Sequence, residues 1–222
     1  MSRLMRSEIM EVLEYMFENS GYIMERLLEH IFIFLTSWSM AVVAGVAIAI
    51  FVTRPGHRKA GKLVLSITGA TQAVPSIAVI ALVFLFMGIG AAPAVVALFL
   101  YSLVPVVFNT ASGLMNVSMM MKEAAKGMGM TNRQILWKVE MPVTVPTMLS
   151  GIRSSATINI GTAAIAASIG AGGLGEIIFT GLRMTRGPMI IAGAIPVTIL
   201  AIAVDIILGF SEKALTSKGL KI

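Results

Sequence analysis

Residues 123–142 read EAAKGMGMTNRQILWKVEMP. Glu123, Lys126, Arg133, Lys138 and Glu140 bring charge, and Thr131-Asn132 a polar pair, between two long apolar stretches. The local grammar is helical. Ser118 can cap a short helix through Lys126, with Gly127 and Gly129 supplying a stop and a turn. Thr131 followed by Gln134 matches a capping box and opens a second helix, which Pro142 is expected to end. Ile135, Leu136 and Val139 share one side at helical spacing, with charge elsewhere. The segment is expected to form two short helices joined at a glycine elbow: either an amphipathic loop resting on lipid headgroups or a docking knob.

The surrounding composition decides which solvent the fold is built for. Of 222 residues, 57% are hydrophobic and 13% charged, well below the ~25% charged residues of a soluble domain. Apolar runs of about 20 residues recur, each long enough to cross a ~30 Å hydrocarbon layer as a helix. They predict an all-α polytopic membrane protein with five spans, at about 31–52, 63–87, 91–110, 143–169 and 190–210. These form a transmembrane domain over 31–212, with residues 118–142 as its polar segment. Residues 1–30 are too charged to span and lack the apolar core and cleavage site of a signal peptide, so they are expected to be retained as an exterior amphipathic segment. Residues 213–222 form a basic tail.

Cations set the orientation. With the amino terminus outside, Arg54, Arg58, Lys59, Lys62, Lys122, Lys126, Arg133, Lys138, Lys213, Lys218 and Lys221 lie in the cytoplasm. Only Arg3, Arg6, Arg26, Arg183 and Arg186 then lie outside, with Arg153 inside a span. Lys and Arg loops resist translocation, so this arrangement is favoured, and it puts 118–142 and the carboxyl terminus in the cytoplasm. The net charge of +6 therefore reflects membrane topology, and no nucleic-acid partner is expected.

The spacing Glu123-Ala124-Ala125, three residues, Gly129, nine residues, Val139-Glu140-Met141-Pro142 resembles the EAA motif of ABC-importer permeases. That motif ends in Ile-x-Leu-Pro, and the replacements Val139 and Met141 are volume-tolerant apolar swaps. TQAVPSIAVIAL, IGAGGLGEIIF and IPVTILAIAVDIIL are similar, more narrowly, to permeases of glycine betaine, carnitine and choline importers. The resemblance implies a five-span, type I importer domain whose EAA loop is a coupling helix seated in a partner ATPase. Glu123, Ala124, Ala125, Gly129, Val139 and Pro142 would serve that docking. It also implies a homodimeric ATPase, a second permease subunit (the same chain or a paralogue), an extracellular solute-binding protein, a prokaryotic cell membrane and alternating access. A permease for methionine or another small solute is the alternative. A secondary transporter is a further one, although no internal repeat is visible.

Catalytic chemistry finds little support. Gly56, Gly61 and Lys62 nearly spell a phosphate-binding loop, but Leu63 stands where Ser or Thr must hold magnesium, and no strand precedes it. Gly170, Gly172 and Gly175 fit GxGxxG without a strand–turn–helix unit, and are read as a tight exterior loop. His30 and His57 have no neighbouring ligands, and the chain has no cysteine, so neither metal nor cofactor is expected and ATP would be hydrolysed by a partner. Glu8, Glu11, Glu18, Glu25 and Glu29 make an acidic helix stripe, read as a solvated face or a contact for a substrate-delivery protein; Asn19-Ser20-Gly21 should interrupt it.

Inside the apolar runs each polar residue poses a question. Gln72 and Pro75 mark a bend, read as part of a solute path because proline frees a backbone carbonyl that needs a partner or water. Asn109, Thr157 and Asn159 are further path candidates, with helix-to-helix hydrogen bonds as the alternative. Ser37, Ala41, Gly45 and Ala49 form a small-residue ridge for packing. Arg153 and Asp205 both fall roughly 8 to 15 Å from the inner face by helical rise. Charges at that depth need partners, so a structural ion pair is expected. Quaternary ammonium ions are typically held in aromatic cages, and no such cluster is visible in the spans, so selection is assigned to the separate binding protein.

Overall fold

The computed structural model describes residues 2–215, and the part of the basic tail carrying Lys218 and Lys221 lies outside them. Every regular element among the described residues is helical. In order they are α1 (Ser2–Glu18), α2 (Ser20–Val52), α3 (Arg58–Thr71), α4 (Ser76–Met87), α5 (Ala91–Asn116), α6 (Met119–Gly127), α7 (Asn132–Ile135), α8 (Met141–Ala166), α9 (Leu174–Arg183) and α10 (Gly187–Leu215). A wide π turn, Leu136–Glu140, joins α7 to α8, and a 3₁₀ turn, Ala167–Ile169, follows α8. The helices α2, α5 and α10 are each long and apolar enough to cross a membrane alone. Counting the pairs α3/α4 and α7–α8/α9 as broken spans gives up to five.

Contacts divide the chain into two units. The first comprises Met1–Ser39, Pro75–Tyr101 and Ala156–Val204. Its core gathers Ile33, Ile80, Ala94, Ala97, Leu98, Ala163, Ala166 and Ala171, where alanines let helices approach closely. A second cluster packs Leu174 and Ile177 of α9 against Ile23 and Met189. Ala164 comes so close to Gly175 that a β-carbon there would collide with the Ala164 carbonyl oxygen. In the second unit (Met40–Val74, Ser102–Ser155 and Asp205–Ile222) glycine again sets the helix spacing. A β-carbon on Gly45 would lie 2.7 Å from Val106 Cγ1, one on Gly113 2.7 Å from Thr144 Cγ2, and one on Gly151 2.8 Å from the Pro105 carbonyl oxygen. Ser37, Ala41 and Ala49 are fully buried, as a packing ridge requires. Large apolar side chains such as Val43, Phe86 and Phe210 are exposed, a surface suited to lipid rather than water.

Several elements differ from the sequence reading. No break falls near residue 30, because α2 already starts at Ser20 and continues to Val52. The half-turn at Asn19, where its N–H and side chain both bond the Tyr15 carbonyl, is the boundary instead. The run 63–87 is broken rather than kinked: Pro75 is extended (φ −59°, ψ 132°) and caps a new helix. A residue before proline avoids the helical region, so Val74 cannot carry the ladder through. The second knob helix does not stop at Pro142 but runs into α8, because the π turn redirects the ladder and Met141 N–H bonds Leu136 O. Proline removes one donor and crowds the preceding turn, and a widened turn of this kind accommodates both.

Candidate functional site: the polar knob

The knob is built from local signals outward. Ser118 precedes α6 in an extended conformation but makes no side-chain cap, so the start of that helix is held by other bonds. Lys122 N–H reaches Ser118 O, and Lys122 Nζ donates to Leu114 O at 3.2 Å. Gly129 has φ +80°, a left-handed conformation that favours glycine. Met130 N–H bonds Ala125 O across this elbow. The capping box is present at both ends: Gln134 N–H donates to Thr131 Oγ1, and Thr131 N–H to Gln134 Oε1 at 2.8 Å.

Burial sorts the motif residues. Ala125, Ile135 and Leu136 are buried and form the inner side of the knob. Glu123, Ala124, Gly129 and Pro142 are exposed, and Val139 is half-buried. Apart from its two chain neighbours, no atom of the described residues lies within 4 Å of where a β-carbon would stand on Gly129. The exposed side of the knob is therefore a helix and a glycine elbow with no cover from the described residues. A cavity of about 320 Å³ beside it is lined by Arg54, Gly56, Lys122, Glu123, Lys126 and Glu140, among others.

Glu140, which sequence reasoning passed over, is the electrostatic centre. Its side chain is 9% exposed and accepts from Arg54 Nη1 at 2.8 Å and Lys122 Nζ at 2.9 Å. Burial alone would push its carboxyl up; the hydrogen bonds and charge of Lys122 and Arg54 outweigh this and hold it below its ordinary value. Arg54 also donates from Nε to Ile50 O at 3.0 Å. The sequence offered one clue, an acid within the apolar end of the knob's second helix.

The other candidates separate. Arg153 and Asp205 meet in a bidentate pair, with Nε to Oδ1 and Nη2 to Oδ2 both at 2.6 Å, and Glu212 adds a longer contact at 3.5 Å. Gln72 and Pro75 are exposed and Thr157 is half-buried. Asn109 Nδ2 bonds the Pro105 carbonyl at 2.9 Å. Asn159 is fully buried, and its Nδ2 donates to Ser37 Oγ at 3.0 Å. This bond is of the helix-to-helix kind expected of a buried amide.

In the first unit a second charged cluster surrounds the glycine-rich loop. Arg26 bonds Glu25, Glu29 and Glu176 at 3.1, 2.8 and 2.9 Å. Glu29 Oε2 also accepts the Gly173 N–H at 2.9 Å, so part of the acidic stripe anchors a loop rather than facing solvent. Gly170, Gly172 and Gly173 all have positive φ. His30 is buried, with Nε2 3.1 Å from Ile160 O. Among the described residues no group of acids and histidines could hold a metal ion.

The chain thus combines several helices long and apolar enough to cross a membrane with a capped polar knob that the described residues leave partly uncovered. The family described as "Binding-protein-dependent transport system inner membrane component" matches residues 41–217, and the chain belongs to that family. The carnitine transport permease protein OpuCB of Listeria monocytogenes is 40% identical, covering 92% of this chain and 93% of that protein. The glycine betaine/carnitine/choline transport system permease protein OpuCB of Bacillus subtilis (strain 168) is 36% identical, covering 95% and 96%. The osmoprotectant import permease protein OsmW of Salmonella typhimurium (strain LT2) is 38% identical, covering 96% and 100%. A solved inward-facing structure of the MetNI methionine ABC transporter has the same fold, with a TM-score of 0.76 and 22% identity over 88% of this chain and 96% of that one. The chain is thus a permease subunit with the transmembrane fold of ABC importers.

Proposed function

We propose that this permease moves compatible solutes of the glycine betaine, carnitine and choline type inward, driven by ATP hydrolysed on a separate homodimeric ATPase. The knob over 118–142 is the joint between motor and membrane. The observation that carries this is its two-sided build: Ala125, Ile135 and Leu136 are buried, while Glu123, Ala124 and Gly129 of the EAA spacing stay exposed. Alanine and glycine allow close approach to a partner, and the capped elbow is stiff enough to transmit a displacement. The solute class is supported by relatives named for those solutes; likeness to a methionine transporter at 22% identity speaks to fold.

The domain over 31–212 works with a second permease subunit and an extracellular binding protein that selects the solute, its amino terminus outside and its carboxyl terminus inside the cell membrane. Gln72 and Pro75 lie on the solute path, with Asn109 and Thr157 as secondary members. Arg153 and Asp205 fix α8 to α10 as a structural ion pair rather than a proton relay. Gentle purification of the tagged chain tests the central reading. An ATPase is expected to co-purify, and Gly129→Val should lose at least tenfold of it while membrane insertion is unchanged. Full retention of the ATPase by that variant, with full transport, would overturn the assignment. Uptake competed by betaine, carnitine or choline but not by methionine is the expected solute profile.

A further inference from the structure

The EAA spacing leaves one position free between Val139 and Met141-Pro142, and Glu140 fills it with a buried carboxylate. Its two cations are each held by a second element. Arg54 binds back to Ile50 O at 3.0 Å and to Thr53 Oγ1 at 3.3 Å, at the end of α2. Lys122, on α6, reaches Leu114 O near the end of α5. One carboxylate therefore joins the ends of α2 and α5, the helix α6 and the π turn that leads into α8. Along the chain α6 reaches the π turn only through the elbow at Gly129, with φ +80°, and α7.

We propose that Glu140 is a positioning residue for energy coupling, the node through which displacement of the knob passes to α2, α5 and α8 together. This rests on the coupling function assigned to the knob above. An exposed ion pair would contribute little stiffness, because water replaces either partner at small cost. A carboxylate that is 9% exposed, facing cations that are 23% exposed, resists separation, since parting the charges leaves a poorly hydrated anion behind. The π turn belongs to the same device. It buries Leu136 and Glu140 together, so the apolar seat and the charged tie lie in one turn of chain.

The test uses the whole importer in proteoliposomes: this chain with its ATPase and binding protein, offered radiolabelled glycine betaine, carnitine and choline together. Wild type, E140Q and E140D are compared for ATPase retained, ATP hydrolysed and solute taken up per ATP. In E140Q, ATPase retention should stay within twofold of wild type while uptake per ATP falls at least fivefold. E140D, which restores the charge, should recover at least half of the loss. The ratio is independent of how much protein folds, so a purely structural role would leave it unchanged. Wild-type uptake per ATP in E140Q, or no recovery in E140D, would overturn the node. Should E140Q fail to insert, R54Q and K122Q each remove one cation, and a twofold fall in the ratio supports the node while an unchanged ratio overturns it. A wild-type chain that retains no ATPase would overturn the coupling function itself, an outcome distinct from all of these.

Discussion

Two charged clusters in this permease are mirror images in sign. In the second unit one acid, Glu140, holds two bases, Arg54 and Lys122. In the first unit one base, Arg26, holds three acids, Glu25, Glu29 and Glu176. Their settings differ more than their charges. Glu140 is nearly sealed, whereas the acids around Arg26 are 39 to 63% exposed. The glycine loop beside Arg26 takes one bond from Glu29 and is otherwise fixed by contact, with Gly175 against Ala164 and with Leu174 and Ile177 fully buried. Charge weighs more in the knob and packing more at the loop corner.

The largest expected effect tests the packing half. Gly175→Ala would drive a methyl into the Ala164 backbone carbonyl, which cannot rotate away as a side chain could, and should cost about 3 kcal/mol or more of stability, read from denaturant unfolding in detergent. Glu140→Ala comes next. It leaves Arg54 and Lys122 facing each other with no anion, and should cost about 2 to 3 kcal/mol, below a fully buried pair because both cations are partly hydrated. Arg26→Ala should cost less, about 1 kcal/mol after allowance for solvent screening. If Arg26→Ala proves more damaging than Glu140→Ala, the division between charge and packing fails.

Acid provides the finest test. The folded-state value of Glu140 is lowered, so its contribution is fully present above the ordinary carboxylate value of about 4.3 and is lost as pH falls through the lowered value. The stability difference between wild type and Glu140→Gln should therefore be flat from pH 7 to about pH 5.5 and should shrink only in stronger acid. A difference that already shrinks between pH 7 and 5.5 would mean that the two cations do not hold the carboxylate.

Legibility in the sequence followed the range of the cause. The capping box at Thr131 and Gln134, the elbow at Gly129 and the small-residue ridge of α2 are local patterns, and all were readable. The Arg153–Asp205 contact was also readable, because two lone charges in apolar runs leave few other partners. The Glu140 cluster was not, since Arg54 lies 86 positions away and the motif treats position 140 as free. Arg26 and Glu176 are 150 positions apart, so the acidic stripe looked solvated. For Asn159 the sequence left two readings open, because polarity in a span does not say whether the side chain faces a cavity or a neighbouring helix. Pro142 was misread because a proline rule assumes a regular ladder, and here the ladder had already changed its step.

Arg153 leaves one mark on the chain that its carboxylate partners conceal. Its guanidinium lies over Gly209, where an added β-carbon would stand 3.2 Å from Cζ and Nη1. Asp205 grips that guanidinium with two bonds, so the guanidinium cannot step aside. Position 209 should therefore be the least permissive site on its turn of α10: in a library of random variants, side chains larger than alanine there would vanish among survivors, while apolar neighbours facing outward, such as Ile206 and Phe210, would exchange freely.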